Sequence, residues 1–172
     1  TGNNIENSIT NEKSVDSGLE KSTIRPNFIQ YENQGNGMNF TYPDFFNLTE
    51  SINGIYLVTD NKSTGFYVDF KPSNGQSLTN FSNSQSTYLE NRFENYSVVN
   101  SSLENIFDVP TQMVHFNYLN NSEPSDALQL ITVKGDRGII FTYFSPHSSF
   151  NIFLPFIIDI VESMKIGTHT DS

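Results

Sequence analysis

The sequence predicts an α+β fold, an antiparallel β-sheet flanked by helices. Three observations carry that class. From Phe28 onward, short runs alternate apolar and polar residues between turn signals. Only two segments follow the helical period, and strands and helices do not alternate one for one as a parallel sheet requires.

Taken in chain order, residues 1–27 mix Asn, Ser, Glu and Lys with isolated Ile, Val and Leu in neither period, and read as a flexible N-terminal tail. Such a tail suits a tether. In "NFTYP" Phe40 and Tyr42 share a strand face, and Pro43 stops the pairing because it has no N–H to donate. "GIYLVTDNKSTGFYVDFKP" (54–72) predicts a hairpin turning through Asp60–Gly65, with Phe66, Val68 and Phe70 inward and Tyr67, Asp69 and Lys71 on a wet face.

Between Ser77 and Asn95, Leu78, Phe81, Tyr88, Leu89, Phe93 and Tyr96 fall in one arc opposite Asn83, Ser84, Glu90, Asn91 and Glu94, which predicts a helix lying on the sheet. A short strand is expected near Tyr96–Asn100. In 110–120, Val114, Phe116 and Tyr118 alternate with Met113, His115 and Asn117, as in a half-buried strand. Two further runs in 127–145 hinge at Lys134–Gly138, where Gly135-Asp136 and Gly138 can take positive φ. The sheet then has at least five strands.

The most apolar stretch, "FNIFLPFIIDIVESMKI" (150–166), closes the chain. Phe153, Phe156, Ile157, Ile160, Val161 and Met164 recur at i, i+3, i+4, i+7, i+8 and i+11, with Asp159, Glu162 and Ser163 opposite. A spanning helix needs roughly 20 apolar residues, but Pro155, Asp159 and Glu162 interrupt this one. A membrane-surface helix would carry several bases, and Lys165 is alone. The stretch therefore reads as a core-closing amphipathic helix, N-capped by Ser148 or Ser149 with Pro155 in its first turn. Together these elements form a single domain over 28–167, followed by a C-terminal tail, 168–172.

Charge and composition narrow the function. With 9 Lys and Arg against 19 Asp and Glu, the net charge of −10 has the wrong sign for nucleic-acid binding. The chain has no Cys, which excludes disulfides, thiolate catalysis and Cys-based zinc sites. Asn39, Asn47, Asn61, Asn80, Asn95, Asn100 and Asn120 each open an N-x-S/T sequon, a pattern suited to an exported protein, although an Asn- and Ser-rich chain makes several by chance.

No catalytic constellation emerges. "SPHSSF" (145–150) sets His147 beside Ser145, Ser148 and Ser149 without the glycines of a nucleophile elbow. His115, His147 and His169 lack ligand spacing. Asp44, Glu50, Asp60, Asp69, Glu123 and Asp126 could meet a hard cation, yet no calcium-loop motif joins them, so the metal assignment stays unknown. "QGNG" (34–37) has neither phosphate-loop nor dinucleotide spacing, and no cofactor is expected. The tyrosines could form a sugar or peptide platform, but aromatics alternating along strands are usually core or cross-strand pairs.

Two stretches resemble the PsbP-like (Mog/PsbP/DcrB) superfamily: "YPDFF" (42–46) after an early strand, and "LPFIIDIVESMKI" (154–166) after the strand "GIIFTYFS". Phe46 stands where that family's "Y-P-x-x-W" element has Trp, and Ser163-Met164-Lys165-Ile166 fills the place of its "Ser-Phe-Lys-Ile"-like tag. The resemblance implies an α-β-α sandwich and, since members are mostly accessory or binding proteins, no enzymatic activity. It carries over no functional residue. The acidic, Asn-rich, sequon-bearing texture resembles an exported archaeal relative. The expected function is a non-catalytic extracytoplasmic accessory domain, secreted or lipoprotein-like, that binds a protein partner or a membrane-associated complex. The alternative is a small-ligand or divalent-cation-binding protein.

Overall fold

A computed structural model describes residues 25–167, so the expected tails, apart from residues 25–27, and His169 lie outside the described residues. The architecture is three-layered. A seven-stranded antiparallel sheet forms the middle, ordered β3 (Asn47–Ser51), β4 (Gly54–Val58), β5 (Gly65–Pro72), β9 (Arg137–Pro146), β8 (Glu123–Lys134), β7 (Val109–Asn120) and β6 (Glu94–Ile106). Helix α1 (Leu78–Arg92) covers one face. Helix α2 (His147–Ser163) covers the other, with a second sheet of β1 (Phe28–Asn33), β2 (Met38–Pro43) and β10 (Lys165–Ile166).

Alternation along β9 shows how one sheet serves two layers. Ile139, Phe141 and Tyr143 enter the cluster that holds Phe150, Ile157 and Ile160 of α2, whereas Ile140 joins Phe81 of α1 and Ile131 of β8. Both faces of this central strand are buried, as its nearly continuous apolar sequence requires. The main core also takes in Tyr31, Met38 and Phe40 from the small sheet, so the two sheets share one apolar layer.

The expected hairpin, the strand over 110–120 and the pair hinged at 134–138 are all present, and Ser77 caps α1 by accepting from the Asn80 N–H at 3.3 Å. The family-like motifs act structurally. Phe46 is buried in the core, and Phe45 packs edge-on against Phe153 and Phe156 of α2. Ser163 Oγ accepts from the Thr41 N–H at 2.9 Å, and Lys165-Ile166 pair with Asn39 and Met38 as β10.

Four local expectations are corrected. The α2 N-cap is Pro146, which makes no side-chain bond, and Ser148 and Ser149 lie inside the first turn. Pro155 sits mid-helix; both it and Asn151, whose carbonyl it leaves without an amide donor, are exposed, so water can meet the loss. The strand near Tyr96–Asn100 is a 13-residue edge strand, unreadable as a long element because both of its faces are largely exposed and so do not alternate. Gly135 takes the positive φ of the β8–β9 turn, but Gly138 lies within β9, where a Cβ would come 2.1 Å from Phe81 Cζ.

No helix among the described residues is long and apolar enough to cross a membrane. Along α2 the arc from Phe153 to Met164 is buried or half-buried, while Ile152 and Ile158 face out.

Candidate functional site

The α1 face of the sheet is not fully packed. Phe81 fills the space over Ile131 and Ile140 at one end of the helix, and Leu89 seals against Val114, Phe116 and Ala127 nearer the other. Between the helix and strands β4, β5 and β9 a cleft of about 450 Å³ remains. Tyr67, Asp69 and Lys71, expected on a wet face, form its β5 wall. Their side of β5 points at a helix as well as at water, which alternation within one strand cannot reveal.

The cleft is graded from floor to mouth. Its floor consists of buried side chains, among them Phe116, Ala127 and Gln129. Its walls are aromatic: Tyr67 meets Tyr56 and Phe144 edge-on at 5.1 and 4.9 Å between ring centroids, and Phe93 lies 4.4 Å from Tyr118. At the exposed mouth stand Lys71, Tyr88 and Arg92. Lys71 Nζ donates to Gln85 Oε1 at 3.3 Å, and Arg92 donates to the Tyr88 hydroxyl at 2.7 Å.

Burial shapes the titration of these walls. It raises the Asp69 carboxyl above its ordinary range, opposed by a hydrogen bond from the Tyr56 hydroxyl at 3.3 Å and by the Lys71 charge. It raises the Tyr67 phenol, helped by the Asp69 charge, and pushes Tyr118 up to about 12. On the floor, Gln129 Nε2 donates to Thr142 Oγ1 at 3.0 Å, while Gln129 Oε1 is buried without a hydrogen-bond partner.

On the opposite face the fold gathers groups that are far apart in sequence. Asp126, only 4% exposed, receives His115 Nε2 on Oδ1 at 2.9 Å and His147 Nδ1 on Oδ2 at 2.5 Å. The His115 ring stacks on Phe150 at 5.2 Å, and Phe150 stacks in turn on Tyr143, whose hydroxyl donates to the Phe150 carbonyl. The cluster pins the start of α2 to β7, β8 and β9. It does not form a triad: Ser145, beside Asp126 in register, shares its hydrogen bond with Thr64, and among the described residues no hydrogen bond joins a serine hydroxyl to either imidazole.

The other candidate carboxylates are scattered. Asp44 accepts from Asn27, Asp60 from Asn47, and Glu50 from Tyr31 and Asn33. Among the described residues, no three His, Asp or Glu side chains are grouped so as to hold a metal ion. The Asp126 carboxylate stands between its two imidazoles instead of converging with them on a common point.

No family profile and no curated protein sequence matches the chain. Solved structures do. The cyanobacterial PsbP of Synechocystis sp. PCC 6803 superposes with a TM-score of 0.63 at 9% identity, over 84% of this chain and 95% of that one. LpqN of Mycobacterium tuberculosis, described as involved in cell envelope biogenesis, gives 0.58 at 10% identity over 84% and 91%. The Pseudomonas aeruginosa protein PA94, a putative regulator of unknown function, gives 0.51 at 11% identity over 74% and 89%. These sources lend no support to an archaeal origin. Helix-flanked antiparallel sheets, the closing helix and this superposition agree: the chain has the PsbP-like fold.

Proposed function

We propose that the chain is a non-catalytic extracytoplasmic accessory domain that acts by binding a protein partner within a membrane-associated complex. One observation carries the reading: the outer edge of β6 has no strand neighbour among the described residues. Two irregularities interrupt the first half of β6, between Glu94 and Ser97 and between Val98 and Asn100, but from Asn100 to Ile106 the register is unbroken. That stretch can accept an extended partner segment by strand addition, with the exposed Leu103 beside it. Native sheets blunt such edges with charge or proline, and here only Glu104 does so.

The location has separate support. Structures with the same fold include an envelope-biogenesis protein, and six of the seven sequon asparagines are exposed, Asn39 being half-buried. Photo-crosslinking from Leu103 in native membranes should trap a defined protein, whereas the same crosslinker at Thr49 on the opposite edge should not. Leu103→Lys, which leaves the core untouched, should abolish capture of that protein. Equal capture from both edges, or none from either, refutes the reading.

The cleft beneath α1 favours a second reading, a small-ligand-binding protein, because it combines aromatic walls with a few convergent polar groups. The divalent-cation form of that reading has no residue cluster to rest on among the described residues.

A further inference from the structure

We propose that the cleft beneath α1 binds an acidic sugar, with its ring between the aromatic walls, its carboxylate at Lys71 and Arg92, and its hydroxyls on Tyr67, Asp69 and Tyr118. This rests on the small-ligand reading above and assigns the ligand's chemistry.

The walls supply the first argument. Tyr67 and Tyr118 line the cleft, and neither hydroxyl has a hydrogen-bond partner among the described residues. Both hydroxyls are open to solvent, since the unpartnered hydroxyls sealed from water among those residues belong to Ser82, Tyr96 and Ser102. A ligand can therefore reach them. The two phenols are also close enough for the charge of one to act on the other, so one molecule can meet both. Asp69 adds an acceptor: Oδ1 takes the Tyr56 hydroxyl, and Oδ2 is neither sealed nor paired among the described residues. Gln85 gives its oxygen to Lys71 and keeps its amide nitrogen unpartnered. Two phenols, a carboxylate oxygen and an amide donor around one cavity suit a ligand with several hydroxyls, each of which both donates and accepts.

The mouth supplies the second. In a chain of net charge −10, Lys71 and Arg92 stand together at one opening. Neither has a carboxylate within ion-pair distance, since the salt bridges among the described residues are the two histidine contacts of Asp126. Both lie over aromatic rings instead: Lys71 Nζ is 5.2 Å from the centroid of Tyr88, and the Arg92 guanidinium is 5.7 Å from Tyr88 and 5.8 Å from Phe93. Two unpaired cations attract an anion and repel a cationic ligand. Asp69 opposes them from the β5 wall, and a ligand hydroxyl donated to its open oxygen answers that charge where a bare anion cannot.

Between these groups the surfaces are ring faces and edges. A pyranose presents apolar C–H faces to such rings and hydroxyls around its rim, and so uses both kinds of surface. A flat aromatic acid would use the rings and the cations but leave Asp69 and the two phenols idle. The volume of about 450 Å³ accommodates a mono- or disaccharide.

The test is titration of the protein with D-glucuronate beside glucose, glucosamine and phenylacetate, followed by protein-detected NMR, which reads weak binding. Saturable binding of glucuronate is expected, with glucose about tenfold weaker for its missing charge-assisted contacts and glucosamine weaker still. Tyr67→Phe and Tyr118→Phe each remove an oxygen that no other described residue holds, so folding is not at risk. Each should weaken glucuronate and glucose alike, by about fivefold. Lys71→Met, at the exposed mouth, should bring glucuronate down towards glucose and leave glucose unchanged. If glucose, glucosamine or phenylacetate binds as tightly as glucuronate and Tyr88→Ala weakens it, the acidic-sugar assignment is overturned while the small-ligand reading stands. Glucuronate binding that ignores both tyrosine substitutions overturns the assignment too. If none of the four binds, both fall.

Discussion

Phe81 and Gly138 meet where α1 presses closest to the sheet, and the absence of a side chain at residue 138 makes that approach possible. Gly138→Ala would drive a methyl into the ring, so Phe81 must leave its place over Ile131 and Ile140. The expected loss is about 1–3 kcal/mol, as for other overpacked cores, read from urea unfolding midpoints. Tyr118 offers a different handle. Burial lifts its phenol from 10.0 to about 12, so the folded state favours the neutral form. The resulting stability is fully present below pH 10 and is lost as pH rises through about 12. Melting temperatures measured across that window should fall less steeply for Tyr118→Phe than for the parent chain. Single residues were only partly legible in the sequence. Alternation placed Val114, Phe116 and Tyr118 on a buried face, but it could not reveal that Asp126 joins His115 to His147. That union depends on strand pairing and on where α2 begins, and neither leaves a mark in local spacing.

Among elements, α2 was legible because its apolar period is strong, and Ile160, on that apolar face, is fully buried. Its start was not, since Pro146 begins the helix without a side-chain cap while two serines nearby look like better ones. Pro155 breaks the Asn151 carbonyl bond on the exposed side. Pro155→Ala should therefore stabilise the protein, by about 1 kcal/mol or more given the usual cost of an interior proline, measured by thermal unfolding. Strand β6 shows the opposite limit. A strand with both faces exposed has no hydrophobic period, and only its neighbour β7 reveals it.

At the scale of the whole molecule, two side-chain hydrogen bonds tie the small sheet to the large one. Lys134 Nζ donates to the Ile166 carbonyl at 2.8 Å and Arg137 donates to the Asn36 carbonyl at 2.7 Å, while within the small sheet the Gly167 N–H reaches the Gly37 carbonyl at 2.7 Å. Ending the chain at Met164 would remove β10, the Lys134 tie and the Gly167 bond. Hydrogen exchange should then quicken first in β1 and β2, while β8 and β9 keep their protection. Uniform loss of protection across both sheets would contradict this division. That helices cover an antiparallel sheet was foreseeable from the order of strands and helices, and the layering from the family resemblance, but the second sheet was not, because two residues of β10 are too few to carry a pattern.

The pairing of Met38 and Asn39 with Lys165 and Ile166 also sets a timetable. Whether the polypeptide emerges from a ribosome or from a secretion channel, this hairpin must wait, with Phe40 and Met38 still wet, until the whole large sheet and α2 have followed and Lys165 and Ile166 arrive to close it. Such a fold commits late, and a holding chaperone would find its longest opportunity at the β1–β2 hairpin.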